Sequence, residues 1–184
     1  MDAAPAYGFS DAESALLSDG RAVVLRPVTP ASRLLIAAAM SHLSPESSRR
    51  RFFTPRFRLS DAELDRLTNL DGVDRYAIGA TVASADGSVE GIGVARYTRE
   101  PDEPRAAEAA VVVIDAYQGL GLGKLLLRRL AASALARGID RLRGIVLRDN
   151  DPMLGLLTRH APGLALIRAH DHLQVEVRLD TRKI

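Results

Sequence analysis

The stretch that most constrains this chain lies at residues 105–124. Residues 106–114 read Ala-Ala-Glu-Ala-Ala-Val-Val-Val-Ile, and Gln118-Gly119-Leu120-Gly121-Leu122-Gly123-Lys124 follows after three residues. A run so apolar, bounded by turn residues, reads as a central strand covered on both faces. Beyond the glycines, Leu122, Leu125, Leu126, Leu130 and Ala134 recur at helical spacing, and Arg137-Gly138 marks the helix end. A buried strand, a Gly-rich turn and an amphipathic helix, in that order, converge several free backbone N–H groups at the helix N-terminus. Such a place binds anions and suits a phosphate or pyrophosphate.

The rest of the chain supplies more strands and helices around this unit. Residues 1–20 lack sustained periodicity and are expected to form a flexible N-terminal arm, with the folded domain over 21–184. A strand is expected at 21–28. Thr29-Pro30 then opens a helix to about Leu43, with Leu34, Leu35, Ala38 and His42 on its buried face. A short helix follows at 45–53, and Ser60-Asp61-Ala62-Glu63 is a capping box for another ending near Leu70. Residues 76–84 and 88–98 read as a hairpin through Ala85-Asp86-Gly87. A strand at 142–147, a helix at 151–160 and a strand near 173–179 with alternating burial complete the order. The fold class is α/β (α+β): one domain with a mixed, mostly antiparallel sheet of about six to seven strands and helices on both faces.

Two well-known phosphate loops fail on the glycines. A P-loop requires Gly where Gln118 stands and Ser or Thr where Leu125 stands, and the dinucleotide fingerprint requires G-x-G-x-x-G, not G-x-G-x-G. What remains is Q-x-x-G-x-G, filled by Gln118, Gly121 and Gly123, which resembles the coenzyme A pyrophosphate loop of the GNAT (Gcn5-related) N-acetyltransferases. The resemblance extends over about residues 19–180. It is closest to the bacterial protein lysine acetyltransferases that modify acyl-CoA synthetases, through Leu43-Ser44-Pro45-Glu46-Ser47 with Arg51-Phe52-Phe53, Asp115-Ala116-Tyr117-Gln118-Gly119, and Asp149-Asn150 with Pro152-Met153.

The resemblance implies acetyl-CoA as cosubstrate, held by Gln118, Gly119, Leu120, Gly121, Leu122, Gly123 and Lys124. It also implies backbone groups of Val111, Val112 and Val113 on the pantetheine arm and acyl carbonyl, and Asn150 on the pantetheine. Asn150 reads equally well as an N-cap, and Lys124 with Arg128 as a solvated helix face. An alkylamine is protonated at neutral pH, so a base is required. Glu108 is the one charged residue in 106–114. Burial there would make it a better proton acceptor, and it stands where the resembling enzymes carry a glutamate base. Its competing reading is a carboxylate paired with Arg105 or Arg96. Many relatives place a tyrosine acid on the late helix where this chain has Leu157 and Thr158; His160 reads as surface or capping.

Composition removes other chemistries. The chain has no cysteine, which excludes disulfides, thiolate metal sites and an acyl-cysteine intermediate, so acyl transfer is either direct or passes through another nucleophile, and direct transfer is the mechanism expected. A net charge of +2 and few aromatics argue against nucleic acid, although Arg49, Arg50, Arg51, Arg56 and Arg58 form a basic cluster. No segment has the length and apolarity of a membrane helix or signal peptide, so no membrane partner and a cytoplasmic location are expected. His170 and His172 lack a third ligand, and no metal is expected. At 184 residues the chain is expected to lack the nucleotide-binding domain that, by the resemblance, some relatives add. The expected activity is acyl-CoA-dependent N-acetylation of an amine, a protein lysine by resemblance. A small-molecule amine and a non-catalytic acyl-CoA sensor stand as alternatives.

Overall fold

The computed structural model describes residues 12–55, 57–84 and 86–180 of the chain. Among them are eight strands: β1 (Glu13–Leu16), β2 (Ala22–Pro27), β3 (Arg75–Ala83), β4 (Val89–Glu100), β5 (Glu103–Val113), β6 (Arg141–Leu147), β7 (Leu164–Arg168) and β8 (His172–Arg178). Five helices join them: α1 (Arg33–Ser41), α2 (Pro45–Phe52), α3 (Asp61–Thr68), α4 (Leu122–Leu135) and α5 (Asp151–His160). The sheet order is β1-β2-β3-β4-β5-β6-β8-β7. Every pairing is antiparallel except β5 with β6. A parallel pair needs a crossover, and α4 provides it.

Pleating sorts the core into two layers. Tyr76, Ile78, Ala80, Ala95, Tyr97 and Ala107 pack with Leu122, Leu126 and Leu130 of α4. Ala77 and Val28 instead pack with Ile36 of α1 and Leu64 of α3. Alternate residues of one strand serve opposite layers, as the period of two requires, so helices cover both faces. The Ser60 and Glu63 capping box forms, with Glu63 N donating to Ser60 Oγ at 3.3 Å and Ser60 N to Glu63 Oε2 at 2.8 Å.

Three expectations need correction. The stretch expected as a flexible arm contains β1, which pairs with β2 through a turn at Gly20; residues 1–11 lie outside the described residues. Ser18 N donates to the carbonyl of Leu120 at 3.1 Å, so this hairpin buttresses the Gly-rich turn. The sheet accordingly has eight strands, β1 adding to the expected set. In α1 the buried residues are Ile36 and Ala39, while Leu34 is 80% exposed and Ala38 and His42 are exposed. The run Leu-Leu-Ile-Ala-Ala-Ala-Met is apolar on every side, so spacing alone does not fix its phase. In the β3–β4 hairpin, Ala85 lies outside the described residues, and Ser84 N donates to Ser88 O at 2.8 Å.

Candidate active site

The parallel ladder between β5 and β6 is short. It pairs Ala106 with Arg141, Ala107 with Leu142 and Glu108 with Arg143, and then stops. The two strands diverge beyond that point, opening a gap at the C-terminal end of β5. In β5 the even-numbered residues turn their backbone groups toward β4, as Ile114 N does in donating to Ile92 O at 3.1 Å. The odd-numbered residues therefore face the gap. The N–H and C=O of Val111 and the N–H of Val113 point where no strand lies, and the Val113 carbonyl accepts from Gln118 Nε2 at 3.0 Å. The side chain of Val112 is core, and those of Val111 and Val113 are half-buried.

The gap opens toward the Gly-rich turn. A 3-10 turn at Asp115–Tyr117 ends β5, and Gly119 and Gly121 follow with φ of 74° and 87°. Both lie in the left-handed region that glycine enters freely, and nothing else crowds them. Gly121 caps α4 without a side-chain bond, and no acidic residue occupies the first turn. The N–H groups of Leu122, Gly123 and Lys124 are thus free at a positive helix end. The Leu122 side chain is fully buried, so only its backbone is available. Gly123 has a different reason: a Cβ there would come within 3.3 Å of Leu156 Cδ2, where α5 crosses α4.

Helix α2 is tied to this turn by hydrogen bonds that the sequence reading missed. Asp115 accepts from Ser44 N at 2.9 Å, Ser44 Oγ at 2.7 Å and Ser47 Oγ at 2.8 Å, and Gln118 Nε2 donates to Ser47 Oγ at 2.9 Å. Partial burial pushes the Asp115 carboxyl up, but the bonds from Ser44 and Ser47 outweigh it and hold the group below its ordinary value. The motif residues Ser44, Ser47, Asp115 and Gln118 were all visible, yet nothing in their spacing tells that they meet across roughly seventy positions.

Glu108 sits at the vertex of the gap, on the sheet face that α2 packs against. It is exposed, which corrects the expectation of a buried carboxylate. The strand reads as buried because its neighbours Ala106 and Ala107 are, but the ladder with β6 ends at this point. The expected competing pairs do not form among the described residues: Arg105 binds Asp140, and Arg96 Nε is buried with no partner. Arg51 reaches the same neighbourhood from α2. Burial lowers its guanidinium to about 10, with repulsion from Arg96 adding to this and Glu108 opposing it.

Asn150 is buried and caps α5, accepting from Met153 N at 3.2 Å; only its NH2 remains to donate to a ligand. Lys124 is half-buried in the first turn of α4, close enough to His160 that its charge, after burial, helps lower that imidazole below its ordinary value. Among the described residues no three His, Asp or Glu side chains gather as a metal site would require, and no helix is long and apolar enough to cross a membrane.

This arrangement is shared with known proteins. The family model described as Acetyltransferase (GNAT) family matches residues 40–161, two thirds of the chain. The chain belongs to the GNAT acetyltransferase family. An acetyltransferase of Pseudomonas aeruginosa is 32% identical over 152 residues, covering 79% of this chain and 81% of that protein. The acetyltransferase Pat of Mycolicibacterium smegmatis is 34% identical over 135 residues, 73% of this chain but only 39% of the longer relative. The crystal structure of the GNAT domain of S. lividans PAT superposes with a TM-score of 0.81 at 31% identity, covering 91% of this chain and 97% of that domain. A Salmonella typhimurium structure determined with acetyl-CoA shares the fold at 19% identity, with a TM-score of 0.67 over 86% of this chain and 95% of its own. As a GNAT protein the chain is an acetyltransferase that uses acetyl-CoA.

Proposed function

We propose that this GNAT domain transfers the acetyl group of acetyl-CoA directly to a protein lysine, with Glu108 as general base. The observation that carries the reading is the end of the β5–β6 ladder at the pair Glu108 and Arg143. One gap there has a carboxylate at its vertex, outward-facing backbone donors along one wall and the free N-terminus of α4 at its mouth.

The residues divide the work as follows. The N–H groups of residues 119–124 donate to the pyrophosphate oxygens, with Lys124 adding charge. The groups of Val111 and Val113 that face the gap hold the pantetheine amides and polarise the thioester carbonyl. Asn150 offers its NH2 to the same arm. Glu108 removes a proton from the lysine ammonium, the neutral amine attacks the carbonyl carbon, and the C–S bond breaks as the attacking nitrogen releases its second proton to water. The thiolate then takes a proton from water, since the position of the tyrosine acid in many relatives holds Leu157 and Thr158.

A protein acceptor suits an exposed base. A small amine leaves Glu108 in water, whereas a docked protein surface strips that water and favours proton uptake by a carboxylate. The motif resemblance to protein lysine acetyltransferases and the likeness to the S. lividans PAT domain support the same reading.

The test is thiol release from acetyl-CoA with an acyl-CoA synthetase as acceptor, comparing wild type with Glu108→Gln after showing that both bind acetyl-CoA equally. A loss of roughly 10²- to 10⁴-fold in the variant is expected. Turnover retained by the variant would remove Glu108 from the mechanism. No release by wild type on the synthetase, with release on small amines, would replace the acceptor; tight binding without release on any amine would leave an acyl-CoA sensor.

A further inference from the structure

Arg51, Arg96 and Glu108 lie together on the face that α2 covers, and their charges do not balance. Arg96 stands beside Ala77 and Ala110 in the β3–β4–β5 register, and Glu108 is one step along β5 from Ala110 on the same face. The Arg96 Nε is buried without an acceptor. Arg51 lies over the Phe52 ring, 4.8 Å from its centroid, and that ring stacks on Phe57 at 3.8 Å. Among the described residues neither guanidinium forms an ion pair.

Apart from Glu108, the neighbouring carboxylates are already committed. Glu46 binds Arg49 and Arg50, and Asp149 binds Arg49. Glu100, Glu103 and Glu176 all bind Arg143. A desolvated guanidinium repelled by a second one, with a buried Nε–H of that second group left unmade, is costly in a folded protein unless an anion joins them. Burial and the repulsion of Arg96 lower the Arg51 guanidinium, and the charge of Glu108 opposes this only in part.

We propose that Arg51 and Arg96 form a carboxylate-binding subsite for the acceptor beside Glu108, so that the preferred amine carries an acidic group next to it. A planar carboxylate matches the guanidinium fork better than any other common anion. The location assigns the anion to the acceptor and not to the pyrophosphate. Arg96 and Glu108 project from the face opposite α4, whose free N-terminus holds the phosphates in the reading above. The inference rests on that reading for the direction from which the acceptor approaches.

The experiment uses two peptides with one lysine, differing only in Glu or Gln beside it, and the small-amine pair 6-aminohexanoate and 6-aminohexanamide. Wild type is expected to prefer the carboxylate member of at least one pair by about tenfold or more in kcat/KM. Arg96→Gln and Arg51→Gln bring that ratio to about one, and the thermal midpoint of Arg96→Gln does not fall, because a charge with an unmade buried donor and no ion pair is removed. A second readout does not depend on turnover: the Arg96 Nε–H NMR resonance shifts on adding the Glu peptide and not the Gln peptide. A shift without peptide acetylation would retain the subsite and remove the lysine reading. Equal rates within both pairs and no shift, or a preference that survives both variants, overturns the proposal. A preference for succinyl-CoA over butyryl-CoA that both variants abolish overturns its assignment to the acceptor.

Discussion

Replacing Asp115 by alanine tests whether the contact between α2 and the Gly-rich turn governs both stability and cofactor binding. The side chain accepts three hydrogen bonds, from Ser44 N, Ser44 Oγ and Ser47 Oγ, at 2.9, 2.7 and 2.8 Å. Bonds to a charged acceptor contribute roughly 1.5–3 kcal/mol each when buried, but this site is largely exposed, and about 2 kcal/mol for the set is the appropriate scale. With a urea m-value of about 2 kcal/mol per M, the midpoint falls by about 1 M. The Asp115 carboxyl is held below its ordinary value, so its contribution is present above the unfolded value near 3.9 and is lost as pH falls through the folded one. The gap between wild type and variant therefore closes in acid. Ser47 also receives Gln118 Nε2, so freeing Ser47 loosens the turn and weakens acetyl-CoA binding by about fivefold in calorimetry. Urea midpoints equal at pH 7, or a stability gap that does not narrow as pH falls below the unfolded value near 3.9, would refute the reasoning.

Other perturbations have equally definite outcomes. Gly121→Ala forces a Cβ into φ of 87° and costs about 1–2 kcal/mol in urea unfolding, with weaker acetyl-CoA binding because the cap of α4 moves. Leu130→Ala removes a fully buried side chain from the α4 layer and lowers stability by about 2–5 kcal/mol, while a surviving fold still binds acetyl-CoA. Burial pushes the Tyr97 phenol up to about 12, and its hydroxyl donates to Val73 O at 3.0 Å. A raised value gives stability that is full below about pH 10 and lost as pH rises through the folded value, so Tyr97→Phe flattens the alkaline decline seen in unfolding midpoints.

The sequence was most legible where one residue's chemistry decides one local conformation. Glycines at 119 and 121, the Ser60 box and the apolar strand into β5 each announce their structure without help from distant residues. The reading failed where a local pattern was degenerate or the partner was remote. The phase of α1 was lost because its apolar residues surround the helix. Strand β1 was overlooked because four residues give too little periodicity, although Ser18-Asp19-Gly20 between Leu17 and Val23 is itself a hairpin signal. Glu108 was expected to be buried because strand composition tells how apolar the neighbours are, not where an adjacent strand departs. That departure is a property of β6 and its register, encoded some thirty residues later.

The three consecutive arginines of α2 show how a basic cluster can be mostly neutral in its effect. Successive helical residues turn by about 100°, so Arg49, Arg50 and Arg51 diverge. Arg49 joins Glu46 and Asp149, Arg50 joins Glu46, and Arg51 turns toward the sheet. The positive charge that composition places on a surface is thereby compensated, except beside Glu108. The same helix is fastened at its start to Asp115 and, through Ser47, to Gln118. It therefore touches the Gly-rich turn at one end, the β6–α5 connection through Asp149 along its length, and the neighbourhood of Arg96 and Glu108 at the other end. On the proposed reading, these anchors hold the Gly-rich turn and Arg51 at the two ends of one short helix, so that the contacts of Asp115 and Gln118 with α2 join the two halves of the candidate site.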